Sequence, residues 1–285
     1  MTFMVIAMAL LSSMDAMAKS LTMDGVEVMQ ILALRSCLIV TILATVFVFK
    51  GKSAELKPRS YKAHAGRGLV GFTAPLCFFY GITHIPLTDA VVIFFTSIFF
   101  VTLLSIVFLG EKVGVHRWAS IVVGFLGVLI VVGPKGGGDI TGYVLVLMGS
   151  IAYSILFTSS RYLSATESVP SLVLSFNVSV GAVSLLLLPW FWTELTQMHY
   201  ARIAVLAVFA LGGHYLITLA FSMAEASVLA PFEYTSVIWA LIFDLLIWQI
   251  SPALSTMIGA MIVIASGLYI VHREKIRSQI IESNQ

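Results

Sequence analysis

The chain has 285 residues, 59% of them hydrophobic and only 11% charged, with a mean hydropathy of +1.02. Soluble domains carry roughly a quarter charged residues, so these proportions exclude a water-soluble globule of this length. A net charge of +2 excludes a basic nucleic-acid face, and the two cysteines, Cys37 and Cys77, offer neither a disulfide framework nor a cysteine metal site.

A membrane-spanning helix takes about 20 mostly apolar residues, and Gly, Pro and charge clusters cut this sequence into pieces of about that length. In chain order the predicted spans are 2–21, 27–49, 65–84, 88–109, 115–133, 140–160, 169–190, 201–222, 227–248 and 253–271. The first lacks a basic leader and a cleavage site, and reads as a retained helix rather than a signal peptide. After the fifth span, Pro134-Lys135-Gly136-Gly137-Gly138-Asp139 forms a flexible turn near the middle of the chain. The predicted organisation is a first repeat over 1–133, a linker over 134–139, a second repeat over 140–271 and a tail over 272–285.

Sixteen Lys and Arg residues set the orientation, because loops rich in them stay cytoplasmic. With the N-terminus inside, the cytoplasmic set is Lys50, Lys52, Lys57, Arg59, Lys62, Arg67, Lys112, Arg117, Arg161, Arg273, Lys275 and Arg277, against Lys19, Lys135 and Arg202 outside. Both termini are therefore expected in the cytoplasm. Five spans per half is an odd number, so the second half enters the membrane inverted relative to the first. Shifting the sequence by 140 places Ala90 on Ala230, Phe94 on Tyr234, Phe99 on Trp239, Gly127 on Gly267 and Ile130 on Ile270. The expected fold is thus an all-α polytopic membrane protein of ten transmembrane helices in two inverted five-helix repeats.

A charge at mid-bilayer costs about 2.5–3.5 kcal/mol on insertion scales, so each one calls for a partner, a wet cavity or a function. Asp15 and Lys19 share a face of the first helix, and Arg35 in the second helix matches Asp15 in depth. Arg35 is suited to a carboxylate or phosphate and Asp15 to an amine or a proton, and a buried structural cluster is the alternative. His214 and Glu233 reach similar depth in the second half, so Asp15, His214 and Glu233 are the candidates for proton coupling.

Tyr80, Phe94, Phe99, Tyr153, Tyr215 and Trp239 supply aromatic faces in the central helices, able to enclose a cation or a flat ring as well as to pack a core. Asn177 adds a hydrogen-bonding group at membrane depth. Pro75 and Pro231 interrupt the third and ninth spans. No nucleophile–base pair, paired aspartates or metal cluster stands at matching depth, so an enzyme is not expected, and no catalytic residue, cofactor or metal is assigned.

Pro86-Leu87-Thr88-Asp89-Ala90, Leu109-Gly110-Glu111-Lys112 and Gly124-Phe125-Leu126-Gly127, answered by Ala226-Ser227-Val228-Leu229-Ala230-Pro231 and by Gly259 to Gly267, resemble the drug/metabolite transporter superfamily, in its EamA-type ten-helix branch. The resemblance covers nearly the whole chain. It implies a multi-pass protein of the cell inner (plasma) membrane that carries small organic metabolites by alternating access. With both charges at membrane depth, the substrate expected is amphoteric, such as an amino acid or a molecule like S-adenosylmethionine. A flat metabolite such as riboflavin, or organic cations or drugs, is the alternative, and from another class an intramembrane enzyme or a structural or sensory membrane protein. The lipid bilayer, the metabolite and protons are the expected partners, and the glycine pattern leaves monomer and homodimer both open.

Overall fold

The computed structural model describes residues 2–109, 114–133, 139–163, 167–223 and 232–283. The Gly110-Glu111-Lys112 motif, linker residues 134–138 and the run from Ala226 to Pro231 lie outside the described residues. Every described element is helical: α1 Thr2–Met23, α2 Val28–Phe49, α3 Tyr61–His84, α4 Leu87–Phe94, α5 Thr96–Leu109, α6 Val115–Val132, α7 Ile140–Leu163, α8 Val169–Leu187, α9 Gln197–Met223, α10 Thr235–Ile247 and α11 Leu254–Ser283. Two short 3-10 turns, Ser53–Leu56 and Leu188–Trp190, follow α2 and α8.

Five stretches are long and apolar enough to cross a membrane: Thr2–Met23, Val28–Phe49, Leu87–Leu104, Pro170–Trp190 and Gln197–Ile217. Trp118–Val132, Ile140–Leu156, Thr235–Ile247 and Leu254–Ile270 are shorter apolar helices. In α3 the first turns carry Lys62, His64 and Arg67, which lower the hydropathy of its N-terminal half.

The helices start and stop where their sequences direct. Gly25, at φ +86°, makes the turn between α1 and α2, a backbone region that side chains with a Cβ avoid. Ser168 caps α8 by accepting the Ser171 N–H at 3.2 Å. At the end of α10, Gln249 takes φ +54° and the Ile250 N–H reaches back to the Asp244 carbonyl at 2.9 Å, a left-handed stop without the usual glycine.

The stretch expected as one span over 88–109 is two helices, α4 and α5, that meet at Phe95, whose backbone stays in the right-handed helical region and whose N–H reaches the Val91 carbonyl at 3.2 Å. The helix that holds the span expected at 65–84 starts earlier, at Tyr61, and the helix that holds the last span runs on past 271 to Ser283.

The closest helix pairs are α3 with α7, α6 with α11, α1 with α9 and α2 with α8. Further contacts join α5 to α7, α1 to α10, α3 to α8, α2 to α9 and α4 to α10. In lipid no hydrophobic force drives helices together, so small residues that allow close approach carry the packing. Gly127 on α6 and Gly259 on α11 face each other so closely that a Cβ on Gly259 would stand 2.6 Å from the Gly127 carbonyl oxygen.

Candidate functional site

Arg35 sits in α2 among apolar neighbours and is 4% exposed. Its guanidinium lies over the Phe79 ring at 5.4 Å, Nη1 approaches the Met14 sulfur at 3.8 Å, and Nε is buried without a hydrogen-bond partner. Asp15 in α1 and His214 in α9 are both close enough to feel its charge. Gly213 packs against Leu11 and the backbone of Ala7, which sets the His214 stretch of α9 beside α1. Asp15 is half-buried and His214 exposed although both lie well inside their helices, so accessible space reaches them.

A ladder of rings runs from this cluster to the helix break. Arg35 stands on Phe79, Phe79 lies 6.3 Å from Phe78, Phe78 meets Phe94 edge-on at 5.0 Å, and Phe94 meets Tyr153 at 5.1 Å. Beside it, Phe95 at the α4–α5 break stacks at 4.7 Å on Tyr234, the residue preceding α10. Glu233, half-buried, lies near enough to both Tyr153 and Tyr234 to act on them electrostatically. Asp15, Arg35 and His214 thus form one group on α1, α2 and α9, and the Phe79 and Phe78 rings of α3 join it to a second, Phe94, Tyr153 and Glu233.

The other residues singled out from the sequence lie elsewhere. Lys19 does not neutralise Asp15: its ammonium is 3.8 Å from Asp244 of α10, donates to the Ile85 carbonyl at 2.8 Å and sits over Trp248 at 4.7 Å. Tyr80 donates to Glu27 at 3.4 Å, and Asn177 bonds back to the Val173 carbonyl of its own helix at 2.9 Å. Phe99 is fully buried in a cluster with Ile121 and Ile270, its ring against Gly124 of α6. Trp239 packs on Met4, Ala7 and Met8 of α1, and Tyr215 is exposed.

The two ends of the bundle differ in chemistry. At the Lys19 end, Asp24 pairs with Arg202, Gln30 and Thr193 exchange hydrogen bonds, and His84 lies 3.3 Å from Asp139. The Asp139 carboxyl is held below the usual range, first by the Thr141 N–H and then by its hydroxyl. At the opposite end, Glu167 accepts the N–H groups of Arg59 and Ser60, at 2.9 Å and 3.0 Å, so it anchors the chain just ahead of α3 from across the bundle. His64 lies 3.4 Å from Glu167 and 2.6 Å from the Ser175 hydroxyl. These donors hold the Glu167 carboxyl below its ordinary range, the Arg59 N–H most strongly. A separate apolar groove of about 280 Å³ between α3 and α7, lined by Ala63, Gly66, Arg67, Val70, Ile155 and Ser159, stands apart from the charged cluster.

Two stretches, residues 1–133 and 140–272, each match the model of the EamA-like transporter family. The chain belongs to the EamA-like transporter family. This EamA-like transporter is 28% identical to the S-adenosylmethionine uptake transporter of Rickettsia conorii over 228 residues, 80% of this chain and 77% of that one. It is 27% identical to the pseudopaline exporter CntI of Pseudomonas aeruginosa over 214 residues, 73% of this chain and 74% of the other. A solved crystal structure with 17% identity has the same fold, with a TM-score of 0.67 over 94% of this chain and 95% of that one. Family and apolar helices together make the EamA-like transporter a multi-pass membrane protein, consistent with a bacterial inner membrane.

Sequence reasoning passed over Asp244 and gave Asp89 no role of its own. Asp244 is a carboxylate inside the span predicted over 227–248, and the rule that singled out Asp15 and Arg35 applies to it equally. Glu167, His64 and Ser175 gave no such signal, because the first lies in a loop and the other two become neighbours only through packing of α3 on α8.

Proposed function

We propose that this chain is a secondary carrier of a small amphoteric metabolite, an amino acid or a molecule like S-adenosylmethionine, working by alternating access between two inverted five-helix repeats. Helix packing supports the repeats: exchanging the halves turns α1 on α9 into α7 on α3, and α1 on α10 into α7 on α5, and it leaves the pairs α2 with α8 and α6 with α11 unchanged as counterparts. That the family model matches 1–133 and 140–272 separately supports the same division. The Glu167 end carries Lys50, Lys52, Lys57, Arg59 and Lys62 and is taken as cytoplasmic, with both termini, and the Lys19 end as the outer face.

The observation that carries the substrate class is Arg35: a buried guanidinium beside a carboxylate at membrane depth, with one N–H donor unspent. A substrate carboxylate satisfies that donor, Asp15 and Glu233 receive an ammonium or sulfonium, and the Phe94–Tyr153 rings accept an aromatic or cationic group. The names of the relatives, one for S-adenosylmethionine uptake and one for pseudopaline export, support an amphoteric cargo and leave direction open. Asp15, His214 and Glu233 are the proposed proton carriers.

The test is uptake of labelled S-adenosylmethionine and of a labelled amino-acid pool into proteoliposomes, with riboflavin as the competing flat substrate. Arg35→Ala and Glu233→Gln are expected to lower uptake of the amphoteric substrate at least tenfold. Undiminished uptake in both variants would sink the site, and uptake of riboflavin alone would move the substrate to the flat class.

A further inference from the structure

At the outer end of the bundle, the first turn of α4 is held by two buried carboxylates whose four oxygens each take one donor. Asp244 of α10 accepts the Leu87 N–H at 3.0 Å with Oδ1 and the Thr88 N–H at 2.7 Å with Oδ2. Asp89, within α4 itself, accepts the Thr256 hydroxyl of α11 at 2.7 Å and the Tyr143 hydroxyl of α7 at 2.9 Å. Lys19 of α1 completes the cluster through Asp244 and the Ile85 carbonyl just before α4. Lys19, Asp89 and Asp244 are each 4% exposed or less.

Three features distinguish this cluster from ordinary glue. It gathers α1, α7, α10 and α11 onto one eight-residue helix, and that helix is separated from α5 by the break at Phe95, so it can tilt as a unit. It closes the bundle on the outer side of groups that accessible space reaches, namely Asp15, His214 and Tyr153. Its bonds are few, directional and ionic, and a buried ion pair that must regain water when separated has two discrete states rather than a continuum.

We propose that Lys19, Asp244 and Asp89 are the lock of the outer gate: positioning residues that hold the first turn of α4 shut, and whose release lets α4 swing about Phe95 to open the site outward. This rests on the alternating-access reading above. Lys19 then acts through Asp244 and α4 rather than as a substrate contact.

The test reads which face of the membrane the site is open to and needs no substrate. Tyr153→Cys, in a background of Cys37→Ser and Cys77→Ala, is labelled with a membrane-impermeant maleimide from either face of oriented vesicles. Tyr143→Phe removes one hydroxyl from the lock, and Lys19→Met with Asp244→Asn removes its ion pair as a unit, leaving Asp89 with its two hydroxyl donors.

Both variants are expected to label about tenfold faster from the outer face and correspondingly slower from the inner face. Loss of fold would instead speed labelling from both faces, and because Tyr143→Phe deletes a single hydroxyl it decides the matter if the double variant does not fold. Unchanged outer labelling, or a rise on both faces, in a Tyr143→Phe protein shown to be folded overturns the lock. Failure of the native chain, with Tyr153 in place, to take up S-adenosylmethionine or amino acids while the reciprocal labelling is intact would overturn the substrate and leave the lock standing.

Discussion

At the scale of single residues, the membrane makes two kinds of position intolerant. Arg35 is one, because its guanidinium is buried against Phe79 and Met14 and feels the charge of Asp15. Gly259 is the other, because the space for its side chain is already filled by Val131 and by the backbone of Gly127. A Cβ that meets backbone cannot be relieved by a rotamer change, so α6 and α11 would have to separate. Gly259→Leu should therefore destabilise the protein by about 1–3 kcal/mol or more. Gly66→Ala in α3, with nothing within 4 Å, should be neutral or slightly stabilising. Thermal unfolding in detergent compares the two, and equal melting temperatures would remove the close approach as a source of stability.

At the scale of elements, helix starts are secured from distant segments. Glu167, which lies between α7 and α8, holds the Arg59 and Ser60 N–H groups just ahead of α3, and Asp244 near the end of α10 takes the first-turn N–H groups of α4. A carboxylate satisfies the unpaired N–H groups of a helix start and opposes the positive end of its dipole. For Glu167 the sign follows from its lowered pKa: the contribution is complete above the ordinary carboxylate range, near ~4.3, and is lost as pH falls through the depressed folded value. Glu167→Gln should lower the melting temperature at pH 7 by a few degrees and flatten its dependence on pH in the acid range. An unaltered acid profile in that variant would show that the cap contributes nothing.

At the scale of the whole molecule, two groups of helices meet at a cluster of charges that lipid would not tolerate. Coupling by Asp15, His214 and Glu233 predicts that an imposed pH gradient changes the initial uptake rate several-fold. Glu233→Gln should make uptake indifferent to the gradient while exchange of labelled for unlabelled substrate continues. A gradient effect retained in full by that variant would remove Glu233 from the coupling.

The sequence by itself determined that this is a membrane protein, nearly every helix and its approximate limits, and the family. Those follow from local properties: runs of apolar residues, Gly and Pro punctuation, and short motifs such as Pro86-Leu87-Thr88-Asp89-Ala90. It also marked Asp15, Arg35, His214 and Glu233, since a charge in an apolar run is visible without coordinates. Only the tertiary structure decided which charges meet. Helical spacing placed Lys19 beside Asp15, yet the ammonium turns to Asp244 and Ile85, because packing of α1 against α10 and the α3–α4 junction offers oxygens there. Phe99 and Phe94 are equivalent aromatics in one predicted span, but the break at Phe95 separates them, and one ring fills the recess at Gly124 while the other reaches Tyr153. Partner choice across a bundle depends on crossing geometry and on which backbone groups remain unpaired, and neither is written in any single stretch of chain.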